Sequence, residues 1–149
     1  MSRWDFWRAA SIVLAGAGVG VAGYLTYTHY NIGALVCSVG DCHAVQTSQY
    51  ATIGPVPIAI LGLGMYVAVI ALGVLRWRRA DWLSTATMGA FALALAGTVY
   101  FAYLTYLEVA VIHAICQWCV TSAILTLGIL VVEGVGTFRI VGTEGSRAY

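Results

Sequence analysis

Two pairs of cysteines are the residues in this sequence whose type and spacing support chemistry. Cys116 and Cys119 form a Cys-x-x-Cys motif, and Cys37 and Cys42 form a second local pair with four residues between them. Closely spaced thiols cycle between dithiol and disulfide, and two such pairs can pass electrons to each other. Four cysteines allow three pairings, of which the spacing favours the two local ones.

The Cys-x-x-Cys motif stands at the beginning of an apolar run that continues to Val132. Free backbone N–H groups and the helix dipole favour a thiolate at a helix start. We therefore expect both thiols in the first turn of a membrane helix. Cys116 should lie nearer the water, and Cys119 about 4.5 Å deeper along the helix axis.

The composition is that of an integral membrane protein. Of 149 residues, 61% are hydrophobic and 9% are charged, and the mean hydropathy is +0.89. The formal net charge of +1 provides no basic patch, so nothing indicates nucleic-acid binding. Membrane lipid is the expected environment.

Four apolar stretches predict an all-α, four-helix transmembrane bundle that forms a single membrane domain over residues 1–149. Each stretch is long enough to cross a hydrocarbon core of roughly 30 Å. A short amphipathic helix is expected near residues 43–52, where it would cap the mouth of the bundle. The chain after Gly136 is expected to be a polar, flexible tail. The predicted helices span residues 9–30, 54–75, 82–106 and 116–135, and a redox loop spans 31–53.

The arginines predict the orientation of the bundle. All seven basic residues are arginines, and none lies in segments 31–53 or 107–115, which carry the cysteine regions. By the positive-inside rule, both termini and the 76–81 turn are cytoplasmic. All four cysteines then face the extracytoplasmic, oxidising side of a cell membrane, where disulfides persist.

A thiol pair on a loop beside a thiol pair on a helix predicts an electron relay. The deeper position of Cys119 suits an electron acceptor that is dissolved in the membrane. A quinone is the obvious candidate.

This arrangement resembles the vitamin K epoxide reductase family. The resemblance covers roughly residues 9–135 and rests on the four spans, the two cysteine pairs and two loop motifs, Ser48-Gln49-Tyr50-Ala51 and Gly54-Pro55-Val56-Pro57. It implies a disulfide-forming oxidoreductase that oxidises a thioredoxin-fold partner and reduces a membrane quinone of the menaquinone or ubiquinone type.

The resemblance also implies a role for each cysteine. Cys37 would exchange with the partner, Cys42 with Cys116, and Cys119 would face the quinone. The depth argument independently supports only the last of these roles. Because the chain has no fused thioredoxin-like domain, the partner is expected to be a separate protein.

Several residues near the cysteines are candidates for contact with the quinone. Ser48, Gln49 and Tyr50 could form hydrogen bonds to it from the capping segment, and His113 could donate to a carbonyl oxygen. Ala123 stands where animal members of the family have a tyrosine that contacts the vitamin K head group. This departure favours simple quinone reduction over epoxide reduction.

Other interpretations of the same residues remain open. Both pairs could be structural disulfides that brace the outer loops of a non-enzymatic, tetraspan-like membrane protein. A zinc site using the four cysteines, or cysteines with His43 or His113, is possible in spacing, although no metal is expected on the oxidising side. Asp41 could oppose thiolate formation at Cys42 or serve only in a turn. Glu108 is expected to be solvated near the outer boundary.

Overall fold

The computed structural model describes residues 3–147, with side chains described for residues 5–142. Within this range, four helices are long and apolar enough to cross a membrane, which confirms the predicted all-α membrane bundle. The long helices are α1 (Arg3–Tyr30), α3 (Ile58–Arg78), α4 (Leu83–Leu107) and α5 (Gln117–Arg147), and the short helix α2 (Cys42–Gln46) lies in the loop that follows α1.

The first and last helices extend well beyond their predicted bounds, and α3 ends slightly later than predicted, at Arg78. Helix α1 begins at Arg3 rather than near residue 9, and α5 continues to Arg147. The polar tail expected after Gly136 is therefore helical as far as Arg147, and residues 148–149 lie outside the described range. The Arg139 guanidinium lies over the ring of Trp7, 5.5 Å from its centroid. This cation–π contact joins the beginning of α1 to the last third of α5.

The connections on the cysteine side contain small irregular elements. A 3-10 turn (Ile32–Ala34) follows α1, and α2 ends earlier than the capping helix predicted for residues 43–52. Strands β1 (Thr52–Ile53) and β2 (Val56–Pro57) then pair antiparallel. Because these residues form a hairpin, α3 begins at Ile58 and not at Gly54. A second 3-10 turn (Ala80–Trp82) joins α3 to α4.

Tyr66 is at the centre of the bundle core. Its side chain is fully buried, and its hydroxyl lies 2.9 Å from the Ser122 Oγ and 2.8 Å from the Thr126 Oγ1. Helix α1 approaches this ring at Gly18, where a Cβ atom would overlap the ring carbons. A hydroxyl network that would be costly in lipid is thereby satisfied inside the protein.

An ion pair is buried at the opposite end of the bundle from the cysteines. Arg76 donates two hydrogen bonds to Glu133, at 2.7 and 2.8 Å, and the Ser11 hydroxyl donates to the same carboxylate. Both charged side chains are at most 4% exposed. The pair therefore joins α1, α3 and α5 at this end.

Candidate functional site

The first cysteine pair is a disulfide. Cys37 and Cys42 are bonded, with 5.9 Å between their Cα atoms. Cys37 is partly exposed, whereas Cys42 is fully buried at the first residue of α2. Asp41 caps α2, because its carboxylate accepts a hydrogen bond from the Ala44 N–H at 3.0 Å. The two sulfurs of this pair thus differ in their access to a partner from outside.

Backbone hydrogen bonds hold the disulfide loop against the beginning of α5. Gly40 forms an isolated antiparallel bridge with Cys116, and the Asp41 N–H donates to the Ile115 carbonyl at 3.0 Å. The Val39 N–H donates to the Gln117 side chain, also at 3.0 Å. Gly40 has a φ of +83°, and a Cβ atom there would overlap the Ile115 carbonyl oxygen. Only glycine fits this approach without strain.

Aromatic side chains reinforce the same contact. The rings of Tyr24 and Trp118 lie 4.8 Å apart between centroids. The Trp118 indole N–H donates to the Val36 carbonyl at 2.9 Å, and the Val36 N–H donates to the Tyr24 hydroxyl at 2.9 Å. Tyr24 on α1 and Trp118 on α5 therefore both hold Val36, the residue that precedes Cys37 in the loop.

These contacts bring the two thiol pairs together. Cys42 and Cys116 are both fully buried and belong to one apolar cluster with Leu35 and Val45, against which Cys37 and Cys119 pack. Cys116 was expected nearer the water than Cys119, and it does precede α5, but the docked loop covers it. Of the second pair, only Cys119 is partly exposed.

Cys116 and Cys119 are free thiols in this structure. A hydrogen bond from the Cys119 thiol lowers the pKa of Cys116, against the opposing effects of burial and of the Glu108 charge. Backbone hydrogen bonds from Cys119 and Trp118 act in the same direction as the thiol. The hydrogen bond between the two thiols, rather than the helix start alone, therefore favours a thiolate at Cys116.

The Cys119 side chain lies in the wall of a cleft between the helices and the capping segment. The empty space at the cleft is about 630 Å³ when the part open to the surroundings is included, and most of its walls are apolar. Its polar lining comes from a few side chains on different elements. These are Gln46, Ser48, Tyr50, Glu108, Cys119 and Ser122.

The structure gathers some of the candidate contact residues at this cleft and not others. Ser48 and Tyr50 line it, but Gln49, His113 and Ala123 are not among its lining residues. His113 is exposed and ends the turn before Cys116 in a left-handed conformation, with a φ of 57°. Its ring Nδ1 lies 3.2 Å from the Val111 carbonyl oxygen.

Glu108 is not solvated, and the expectation of a surface position was wrong. Its residue is 3% exposed, and its carboxylate accepts a hydrogen bond from the Cys116 N–H at 3.1 Å. It begins a π-helical turn (Glu108–Ile112) at the end of α4, which directs the side chain inward. A carboxylate within an otherwise uncharged apolar segment was the sequence signal for this position.

Two further cleft residues, Gln46 and Ser122, were not selected from the sequence. Gln46 closes α2, and Ser122 follows Cys119 by one helical turn. The helical spacing of Ser122 from Cys119 placed it on the same face of α5.

Within residues 3–147, no group of three or more His, Cys, Asp or Glu side chains is arranged to hold a metal ion.

A model of the vitamin K epoxide reductase family matches residues 9–133 of this chain. The match includes both cysteine pairs, the residues that line the cleft and all or part of each of the four spans. The chain belongs to the vitamin K epoxide reductase family. As a member, it is a multi-pass membrane protein with the thiol oxidoreductase chemistry of that family, and the two adjoining cysteine pairs are the residues suited to such chemistry.

Proposed function

We propose that the protein is a membrane thiol:quinone oxidoreductase that generates disulfide bonds. Electrons enter from a separate thioredoxin-fold protein at Cys37, pass from Cys42 to Cys116, and leave from Cys119 to a quinone in the bilayer. The observation that carries this proposal is the arrangement of two sulfurs at the second pair. Cys116 is buried beside Cys42, and Cys119 lies in the wall of an apolar cleft.

Exposure of the first pair supports the entry step. The partner's thiolate attacks Cys37, the partly exposed sulfur, and breaks the Cys37–Cys42 bond while a mixed disulfide forms. A second thiol of the partner then attacks its own sulfur in that mixed disulfide and releases Cys37. The partner leaves with a new disulfide, and Cys37 and Cys42 are left reduced.

The shared cluster supports the transfer between pairs. The Cys42 thiolate attacks Cys116 in an oxidised Cys116–Cys119 pair, which releases Cys119 as a thiolate. Cys37 then attacks Cys42, so the loop disulfide reforms and Cys116 is released. A lowered pKa makes Cys116 a good leaving group in this last exchange.

The cleft fits a quinone as the electron acceptor. Its walls are apolar, as a ring with hydrocarbon substituents requires, and the Tyr50 side chain supplies a hydroxyl group for a carbonyl oxygen, whereas the Ser48 hydroxyl already donates to the Val45 carbonyl at 2.7 Å. The quinone takes two electrons and two protons and becomes a quinol. Cys116 and Cys119 return to the disulfide as their electrons leave.

The orientation is part of the proposal. The distribution of the arginines supports a cytoplasmic location for both termini and for the turn between α3 and α4, and the buried pair of Arg76 lies at that end of the bundle. The cysteine pairs then face the extracytoplasmic side. A secreted thioredoxin-fold carrier can reach Cys37 there.

A quinone-reduction assay in detergent or proteoliposomes tests the function. A reduced dithiol protein supplies electrons, and quinol formation is followed for the native chain, Cys116→Ser and Cys119→Ser. Turnover in the native chain that is lost in both variants supports the proposal. No turnover in the native chain with menaquinone-type and ubiquinone-type acceptors would contradict it.

A further inference from the structure

The Glu108 carboxyl is a buried ionisable group that the relay does not use. It is 3% exposed, lies in a segment long and apolar enough to cross a membrane, and makes no ion pair with any described residue. The other carboxylate of comparable burial, Glu133, is neutralised by Arg76. An unpaired carboxylate in such a place is energetically costly. Ionisable residues within membrane segments commonly have a function.

Both cysteines of the second pair lie next to this carboxyl. One oxygen, Oε2, accepts the Cys116 backbone N–H at 3.1 Å, and the Cys119 thiol is within hydrogen-bonding reach of the same group. The backbone fixes the position of Glu108, because its carbonyl accepts the Ala114 N–H at 3.0 Å across the π-helical turn. π turns are frequent at functional sites.

Glu108 also faces the space where the acceptor would bind. Among the described residues that line the cleft, it has the only carboxyl group, and Cys119 lines the same cleft. One side chain thus lies within hydrogen-bonding reach of the reacting thiol and lines the same cleft. General acid–base catalysis needs this placement.

We propose that Glu108 is a catalytic residue that accepts the proton of the Cys119 thiol and delivers it to a quinone oxygen. This inference rests on the proposed function, because it assigns the proton transfer within the same site. It adds a carboxyl group to a site otherwise defined by cysteines.

The reaction balances without a further reactant. The S–H bond of Cys119 breaks as Glu108 takes the proton, and two electrons leave the sulfurs as the Cys116–Cys119 bond forms. Glu108 then gives its proton to one oxygen of the reduced ring and returns to its starting state. The proton that Cys116 has released to water is matched by one that the other oxygen takes from water. One quinol and one disulfide result.

The test separates the quinone step from the thiol step in single-turnover experiments. Quinol formation is measured by mixing the fully reduced protein with a short-chain soluble quinone. Thiol exchange is measured without quinone, by reducing the oxidised protein with dithiothreitol. The variant is Glu108→Gln, whose amide oxygen can still accept the Cys116 N–H.

We expect Glu108→Gln to slow quinol formation by about 100-fold or more, the usual contribution of a general acid or base. Thiol exchange should not be slowed, because the amide oxygen can still accept the Cys116 N–H and loss of the Glu108 charge removes an effect that raises the pKa of Cys116. Native rates in both steps would overturn the inference. Equal losses in both steps would also overturn it, because they indicate a purely structural role.

An infrared difference spectrum of the native protein provides a readout that needs neither quinone nor a folded Gln variant. The dithiol and disulfide forms, prepared with a chemical thiol oxidant, should differ in a carboxyl band, because oxidation removes the Cys119 S–H that lies within hydrogen-bonding reach of Glu108. The band should move in Glu108→Asp. No carboxyl difference would overturn the inference.

The two failures are distinguishable. If the native protein reduces no quinone at all, the proposed function fails. If the native protein reduces quinone at the same rate as Glu108→Gln, only the role of Glu108 is refuted.

Discussion

The Gly40 backbone is paired with the Cys116 backbone in an isolated antiparallel bridge. This contact joins the loop that carries the first disulfide to the residue that begins the second pair. The neighbouring Cys42 and Cys116 side chains consequently share one buried cluster. Transfer of electrons between the pairs depends on this bridge in our account.

Gly40→Ala should slow electron transfer between the pairs. A Cβ atom would overlap the Ile115 carbonyl oxygen, and a φ of +83° strains any residue with a side chain. A cost of about 1.4 kcal/mol corresponds to a tenfold lower population of the conformation in which the loop is docked. We expect oxidation of a dithiol donor to fall about tenfold or more. Gly33→Ala is the matched control, because nothing lies within 4 Å of a Cβ atom there.

Cys119→Ala should raise the pKa of Cys116. The Cys119 thiol donates a hydrogen bond that stabilises the Cys116 thiolate more than its thiol, so its removal leaves burial to dominate. Ultraviolet absorbance of the thiolate, followed against pH with the loop disulfide intact, measures this change. The Cys116 thiolate of the variant should appear at a higher pH than the first thiolate that forms in the native protein, in which only the second pair is reduced. A shift toward lower pH would contradict this explanation.

Gly18→Ala should destabilise the bundle. The new methyl group would overlap the buried Tyr66 ring, whose hydroxyl is already engaged with α5. Overpacking of this kind costs about 1 to 3 kcal/mol. Thermal unfolding in detergent should show a lower midpoint for this variant. Gly16→Ala, with open space around its Cβ position, should unfold at or above the native temperature because alanine favours helix.

Arg76→Met should destabilise the end of the bundle opposite the cysteines. It leaves the Glu133 carboxylate buried without its cationic partner, at a cost of about 3 to 5 kcal/mol. The double variant Arg76→Met with Glu133→Met should recover much of the loss, since two apolar side chains need no pairing. Comparison of the midpoints of chemical unfolding checks both statements. A double variant no more stable than Arg76→Met would contradict this interpretation of the pair.

Much of the fold follows from the sequence, because apolar runs of membrane-crossing length have few alternatives. The hairpin before α3 did not follow, since Gly54 and Pro55 are compatible with both a helix start and a turn. The extension of α5 also depends on a distant contact, between Arg139 and Trp7. Propensity within the tail contains no information about that contact.

The candidate site was only partly predictable for the same reason. The motif identified Cys116 and Cys119, and helix geometry ordered their depth. Which sulfur is exposed depends on a loop some 75 residues earlier in the chain that docks over Cys116. The burial of Glu108 likewise depends on the π turn that follows it. Periodicity does not encode either contact.

The most direct test of the electron path is to map the disulfides of Cys37→Ser. This variant lacks the Cys37 sulfur, which would attack Cys42 in the Cys42–Cys116 bond and release Cys116. The reduced variant is mixed with quinone, quenched with an alkylating agent and digested for mass spectrometry. The account predicts accumulation of a Cys42–Cys116 bond, with Cys119 alkylated. A bond between Cys42 and Cys119, or a Cys116–Cys119 disulfide that persists beside free Cys42, would contradict it.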